Sequence, residues 1–209
     1  MKRLLVALLA VVGLTLAASP AARAQFYVGV HGGANFVPDS DIDGSGVDGE
    51  ASADPGFAAG AVAGYRLGLD EALSLDLEGE FTYRQNDIDE FSASGFSAEG
   101  GGEVRSFAWM ANAWLNWAIG DSGFVPYLGG GFGGVHIDIN DGEVAGIALD
   151  EESDFVIGGQ LGAGVGWQLG EHMVLSLDYR FLMTDDASFN GLDVSYQSHS
   201  VLLGARYLF

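Results

Sequence analysis

The stretch Ser200-Val201-Leu202-Leu203-Gly204-Ala205-Arg206-Tyr207-Leu208-Phe209 decides the fold. Successive side chains of a strand point to opposite faces. Val201, Leu203, Ala205, Tyr207 and Phe209 therefore share one face, and Ser200, Gly204 and Arg206 share the other. A strand apolar on one side and polar on the other, ending on an aromatic residue, suits the closing strand of a barrel with lipid outside and polar groups inside.

Working back from this segment, alternation predicts strands over 26–36, 57–67, 73–84, 104–117, 124–137, 155–169, 174–184 and 196–209. Each has the roughly ten residues that a tilted strand needs to cross hydrocarbon. The third is the clearest: Leu73, Leu75, Leu77, Gly79, Phe81 and Tyr83 alternate with Ser74, Asp76, Glu78, Glu80, Thr82 and Arg84. The intervening segments alternate in kind. Residues 68–72, 118–123 and 170–173 are short, whereas 37–56, 85–103, 138–154 and 185–195 are long or polar. Short turns on the periplasmic side and long loops outside are the asymmetry of an outer-membrane barrel. The fold class expected is all-β, an eight-stranded antiparallel up-and-down transmembrane β-barrel. A soluble jelly roll or lipocalin-like barrel is the weaker alternative.

Aromatic residues fall near the strand ends, where rings that tolerate both phases favour the headgroup boundary. Tyr65, Trp117, Phe124, Trp167, Tyr207 and Phe209 are placed at the periplasmic rim, and Phe36, Phe57, Phe107 and Phe155 nearer the outer one. In the Gly129-Gly130-Gly131-Phe132-Gly133-Gly134 run the facing is ambiguous, and Leu128 and Phe132 are assigned outward. Gly129, Gly131 and Gly134 formally match a dinucleotide motif. That site needs a strand-turn-helix context, so these glycines are read as room for large neighbours.

The N-terminus agrees with export. Met1-Lys2-Arg3 is basic, Leu4 to Ala18 is apolar, and Ala22-Arg23-Ala24 has the small-x-small pattern of a cleavage site. A signal peptide is expected over 1–24 and a barrel domain over 25–209. The latter carries five arginines and no lysine against 29 acidic residues, a formal charge of −24. Such a charge excludes nucleic acid as a partner, and the absence of cysteine excludes disulfide and thiolate chemistry.

At this point the sequence resembles the outer-membrane β-barrel family that includes the OmpA transmembrane domain, OmpX and the opacity-type surface proteins. The stretches that carry the likeness are Phe26-Tyr27-Val28-Gly29, Ala63-Gly64-Tyr65-Arg66, Met110-Ala111-Asn112-Ala113, Pro126 to Gly131, Gln160 to Gly166, and His199 to Phe209. The resemblance implies a barrel of the outer membrane whose C-terminal Tyr207 and Phe209 are read by the barrel-assembly machinery. The other partners expected are outer-membrane lipid, lipopolysaccharide and an extracellular ligand met by the loops, with the barrel a monomer.

Eight strands enclose little more than packed side chains. The inward parity collects Arg66, Arg84, Arg180 and Arg206 against Asp76, Glu78, Glu80 and Asp178. Buried charges persist when paired, so Glu78 and Glu80 are expected to pair with Arg180, and Arg66 and Arg206 to meet Asp76 and Asp178. This network reads as a static polar plug, or alternatively as a narrow gate of exchanging ion pairs resembling that of OmpA-type barrels.

The long segments hold most of the acids and neither Lys nor Arg. In the first, Asp39, Asp41, Asp43, Gly44, Ser45 and Glu50 fit D-x-D-x-D-G-x5-E, the spacing of a calcium loop. A weak calcium site with Asp39, Asp41, Asp43, Ser45 and Glu50 as ligands is one reading, and a solvated acidic loop is the other. No resident cofactor is expected beyond that ion. A lipid-modifying enzyme would need Ser and His on one face within hydrogen-bond reach. His199 is flanked by Ser198 and Ser200, which point the opposite way; His31 has no Ser near it in sequence, and His136 and His172 read as loop or rim residues. A surface protein, structural or adhesive, is therefore favoured over an enzyme.

Overall fold

The structure, a computed structural model, describes the backbone of residues 24–38, 40–44, 47–53, 55–93, 96–140, 143–144, 147–148, 152–189 and 192–209, with side chains of 24–38, 55–87, 103–138, 153, 155–185 and 196–209. Residues 1–23, and so nearly all of the expected signal peptide, lie outside the described residues. Eight long strands follow in order: β1 (Ala24–Phe36), β2 (Gly56–Gly68), β3 (Leu73–Ala93), β4 (Phe96–Trp117), β5 (Phe124–Asn140), β6 (Glu152–Leu169), β7 (Met173–Phe189) and β8 (Leu192–Leu208). Each pairs antiparallel with its neighbours in sequence. The ring closes where β1 pairs β8, from Tyr27 opposite Leu208 to Phe36 opposite His199. The predicted eight-stranded up-and-down barrel is the observed one, and closure leaves the barrel wall no unpaired edge.

Three short turns join strands at one end. In the first, Asp70 Oδ1 accepts the backbone N–H groups of Ala72 and Leu73, both at 2.7 Å. The second is a 3-10 turn over Gly120–Ser122 that leaves through Gly123 at φ +72°, a left-handed conformation that glycine adopts without a Cβ penalty.

The opposite end differs from the sequence reading. The segments expected as long loops are largely strand. β3 and β4 continue as one ladder to Ala93 opposite Phe96, and a hairpin of Ser40–Gly44 and Val47–Ala53 pairs with the end of β3. β4 has 22 residues, a path of about 70 Å, against a hydrocarbon core of about 30 Å. The extra length reaches beyond the bilayer, where a strand needs no apolar face. Alternation of polarity fades there although the ladder goes on.

The outward face is apolar throughout the membrane belt. Leu128, Phe132, Leu161 and Leu203 are all more than 60 % exposed, which settles the β5 facing as expected. Ring contacts line both rims: Phe26 meets Tyr65 at 5.3 Å and Phe209 at 5.5 Å, and Tyr83 meets Phe57 at 5.7 Å and Phe107 at 5.0 Å. The inward face is filled. Glycines make the room: a Cβ on Gly164 would come within 2.8 Å of the Tyr127 ring, and one on Gly129 within 2.9 Å of the Trp114 ring. The Gly-rich run is thus a packing device, as read from sequence.

Candidate functional site in the barrel lumen

The eight charged residues assigned inward are all in the lumen. Asp76, Glu78, Glu80, Arg84, Asp178, Arg180 and Arg206 are buried, and Arg66 is partly so. Their pairing differs in part from the expected one.

Arg66, at the short-turn end, grips Asp76 through two bonds, Nε to Oδ1 at 2.9 Å and Nη2 to Oδ2 at 2.8 Å. Arg206 lies 3.9 Å from Asp76 and 3.8 Å from Glu78. These contacts with Asp76 are as predicted, but Glu78 belongs to Arg206 rather than to Arg180. The reason is height along the tilted strands: Glu78 Oε2 and Oε1 accept from Tyr27 Oη at 2.9 Å and Trp114 Nε1 at 3.0 Å, both low in the barrel. The Arg206 guanidinium is sandwiched over the Tyr27 and Tyr127 rings at 5.7 and 5.3 Å. A cation over an aromatic face is stabilised by the ring quadrupole.

Glu80 is the hub of the middle section. It receives Thr82 Oγ1 at 2.6 Å, Asn112 Nδ2 at 2.6 Å and Gln160 Nε2 at 2.7 Å, and Arg180 Nη1 lies 2.5 Å away. Because Thr82 gives its proton to Glu80, His31 Nε2 at 2.9 Å must be the donor to Thr82 Oγ1. Asp178 faces Arg180 at 3.9 Å, and accepts from Tyr127 Oη and from Ser176 Oγ at 2.9 Å. It was expected to meet Arg66 or Arg206. The ion pair it makes is with Arg180, two positions along its own strand face. Arg180 also lies 5.2 Å from the Trp114 ring.

Arg84 has no carboxylate within ion-pair distance among the described residues. Its section of the lumen is bounded on one wall by Asn35, Asn86, Ser198 and Ser200. On the other lies an apolar cluster of Ala108, Met110, Val135, Ile137, Val156 and Leu182. The fifth arginine, Arg105, left unassigned by sequence, is outside the lumen and pairs with Glu103 at 2.6 Å. Its hydrogen bonds hold the Glu103 carboxyl below the usual carboxylate range. The pair is partly exposed at the surface, so its contribution to stability is minor and is lost as pH falls.

The groups missed by sequence reasoning are Tyr27, Trp114, Tyr127, Asn112 and Gln160. Each is out of phase with the rim or outward residues of its own strand (Tyr27 with Phe36, Asn112 and Trp114 with Phe107 and Trp117, Tyr127 with Leu128 and Phe132, Gln160 with Phe155 and Trp167), which is the signal that finds them. The calcium spacing falls on the small outer hairpin. There the backbone sets Asp41 opposite Glu50 and Asp43 opposite Asp48. Asp39, Ser45 and the side chains of Asp41, Asp43 and Glu50 lie outside the described residues. The histidines form no serine pair among the described residues: His199 is outward beside Tyr179 Oη at 2.6 Å, His136 meets Asp138 at 3.0 Å, and His172 Nδ1 lies 2.9 Å from the Leu208 carbonyl.

Comparison with known proteins gives a consistent picture. The outer membrane protein beta-barrel domain family matches residues 6–209. Among solved structures, Neisserial surface protein A aligns with a TM-score of 0.55 at 19 % identity, covering 89 % of this chain and 99 % of that one. Ail, the attachment invasion locus protein of Yersinia pestis, gives 0.47 at 14 % identity, covering 90 % of this chain and 99 % of that one. The outer membrane protein OprG from Pseudomonas aeruginosa gives 0.41 at 15 %, covering 88 % and 96 %. At these identities the likeness is one of fold. A search among curated proteins returned no match.

Proposed function

Since the chain belongs to the outer membrane protein beta-barrel domain family, we propose that it is a surface protein of the outer membrane whose lumen is a sealed polar plug and whose acidic outer strands meet the surroundings. Its place in the outer membrane and its lipid environment follow from the family and the apolar belt. The observation that carries the sealed-plug reading is the crowding around Glu80. Three hydrogen bonds and an ion pair from four different side chains converge there. Side chains normally fill barrels this small.

Planar-bilayer recording tests it. The refolded barrel is expected to pass negligible current, and Arg180→Ala to pass no more, because Trp114, Gln160 and Asn112 still occupy the section. A discrete, open channel in Arg180→Ala would overturn the plug and establish the alternative of an ion-pair gate.

The protein is read as non-catalytic and as acting through its outer surface, as structural component or adhesin. A buried His31–Thr82–Glu80 arrangement is closed to any substrate of useful size. The terminal Tyr207 and Phe209 serve the assembly machinery in this reading.

Weak calcium binding at the outer hairpin is a second element of the proposal. Like charges directly opposite in a ladder destabilise it, and the register places acid opposite acid at Asp41/Glu50 and Asp43/Asp48. A divalent ion would relieve that repulsion, with roughly millimolar affinity. Calorimetry of the refolded barrel is expected to give calcium-dependent heat that the Asp39→Ala/Asp43→Ala double variant loses; identical heats would remove the site.

A further inference from the structure

Four carboxylates serve three of the lumen arginines, and the fourth is left over. Arg84 is 1 % exposed. Its Nε reaches Ser200 Oγ only at 3.5 Å, and neither Nη1 nor Nη2 has a hydrogen-bond partner among the described residues. Burying an unpaired charge is among the costlier things a fold can do. Two further donors are stranded beside it. Ser106 stands opposite Arg84 in the β3–β4 ladder, so the two inward side chains start within about 5.5 Å of each other. Ser198 is the next inward position beyond Ser200. The Oγ atoms of Ser106 and Ser198 are also buried without a partner among the described residues.

Nearby polar groups are already committed. Ser200 Oγ donates to Asn35 Oδ1 at 2.6 Å, Asn35 Nδ2 donates to Asn86 Oδ1 at 2.7 Å, and Asn86 Nδ2 donates to the Asn35 carbonyl at 3.1 Å. What the section lacks is an acceptor with negative charge.

We propose that this outer section of the lumen binds a small organic carboxylate, with Arg84 as its anchor. The free Nη1–Nη2 edge is a planar fork that matches the two oxygens of a carboxylate, a pairing that is both stronger and more directional than a neutral hydrogen bond. The Ser106 and Ser198 hydroxyls supply additional donors. Across the section, Ala108, Val135, Ile137 and Leu182 form a buried apolar wall, which suits a short alkyl chain rather than a polar acid. The site lies level with the outer aromatic ring of Phe57, Tyr83 and Phe107, because Arg84 follows Tyr83 directly in β3. Access is therefore from the outer end. Val104 and Tyr196, half-buried and packed on the apolar cluster, are the side chains that must move aside. Glu80 is not a competing partner, since its oxygens already hold Thr82, Asn112, Gln160 and Arg180.

The test is calorimetry and urea unfolding of the refolded full chain in zwitterionic detergent with sodium butyrate, and with sodium chloride at the same concentration. Butyrate is expected to release heat and raise the urea midpoint well beyond the chloride control. Arg84→Met, which removes a buried unpaired charge and so folds at least as stably, is expected to weaken butyrate binding by roughly tenfold or more. Ser106→Ala/Ser198→Ala, which leaves the charge in place, is expected to weaken it less. Failure of butyrate to bind, equal affinity in Arg84→Met, or a chloride response equal to that of butyrate each overturns the carboxylate site. None of these outcomes bears on whether the lumen conducts, which the bilayer recordings decide separately.

Discussion

Glu80→Ala is expected to destabilise the barrel by about 3–5 kcal/mol, the cost of removing one member of a buried ion pair, read as a fall in the urea midpoint in short-chain lipid bilayers. The carboxylate is fully enclosed and lies 2.5 Å from Arg180. Without it, Arg180 keeps only Asp178 at 3.9 Å, and Thr82, Asn112 and Gln160 lose their common acceptor. An unsatisfied buried donor adds its own desolvation cost. Glu80→Gln retains an acceptor oxygen and is expected to lose less. The pair need not be a net source of stability, since exchanging a buried ion pair for apolar groups of similar volume is often neutral. Glu80→Ala/Arg180→Met, which keeps the cavity but removes the cation, should therefore recover part of the loss, and that recovery is what distinguishes an orphaned charge from a cavity. A fall of no more than about 1 kcal/mol in Glu80→Ala, the scale of a single neutral hydrogen bond, would sink the hub.

The parts of this barrel legible in the sequence are those set by a period of two. Alternation in Leu73–Arg84 and Val201–Phe209 fixes which side chains face lipid, and hence which charges share the lumen. Partner choice was not legible. It depends on the height each residue reaches on a tilted strand, which separates Glu78 from Arg180 and brings it to Arg206. Tyr27 and Tyr127 were hidden for a different reason. Neither carries a charge, so a tally of inward charges passes over them, yet both are buried against Arg206 and donate to Glu78 and Asp178. The outer extensions were read as loops because alternation reports burial and not hydrogen bonding. Asn86–Ala93 is strand by its ladder with Phe96–Val104, but its residues carry no alternating apolar stripe to announce it.

Leu161→Arg is expected to cost about 2–4 kcal/mol, because a cation at the bilayer midplane on the lipid face must be pulled out of water. Leu161 is outward, 67 % exposed, and sits on β6 midway between Phe155 and Trp167, which mark the two rims. The same substitution at Leu169 is the control. Leu169 ends β6 on the same outward face beyond Trp167, where the charge can reach headgroup and water, so Leu169→Arg is expected to cost about 0–1 kcal/mol. The comparison isolates depth, since both variants trade a leucine for an arginine on one strand face. In a barrel surrounded by water the order would vanish or reverse, because an exposed leucine gains from becoming charged. Unfolding midpoints in the same lipid give the two values directly. Equal losses at the two positions would mean that Leu161 is not at mid-depth, and with it would go the membrane placement of the whole outward row from Phe155 to Leu169.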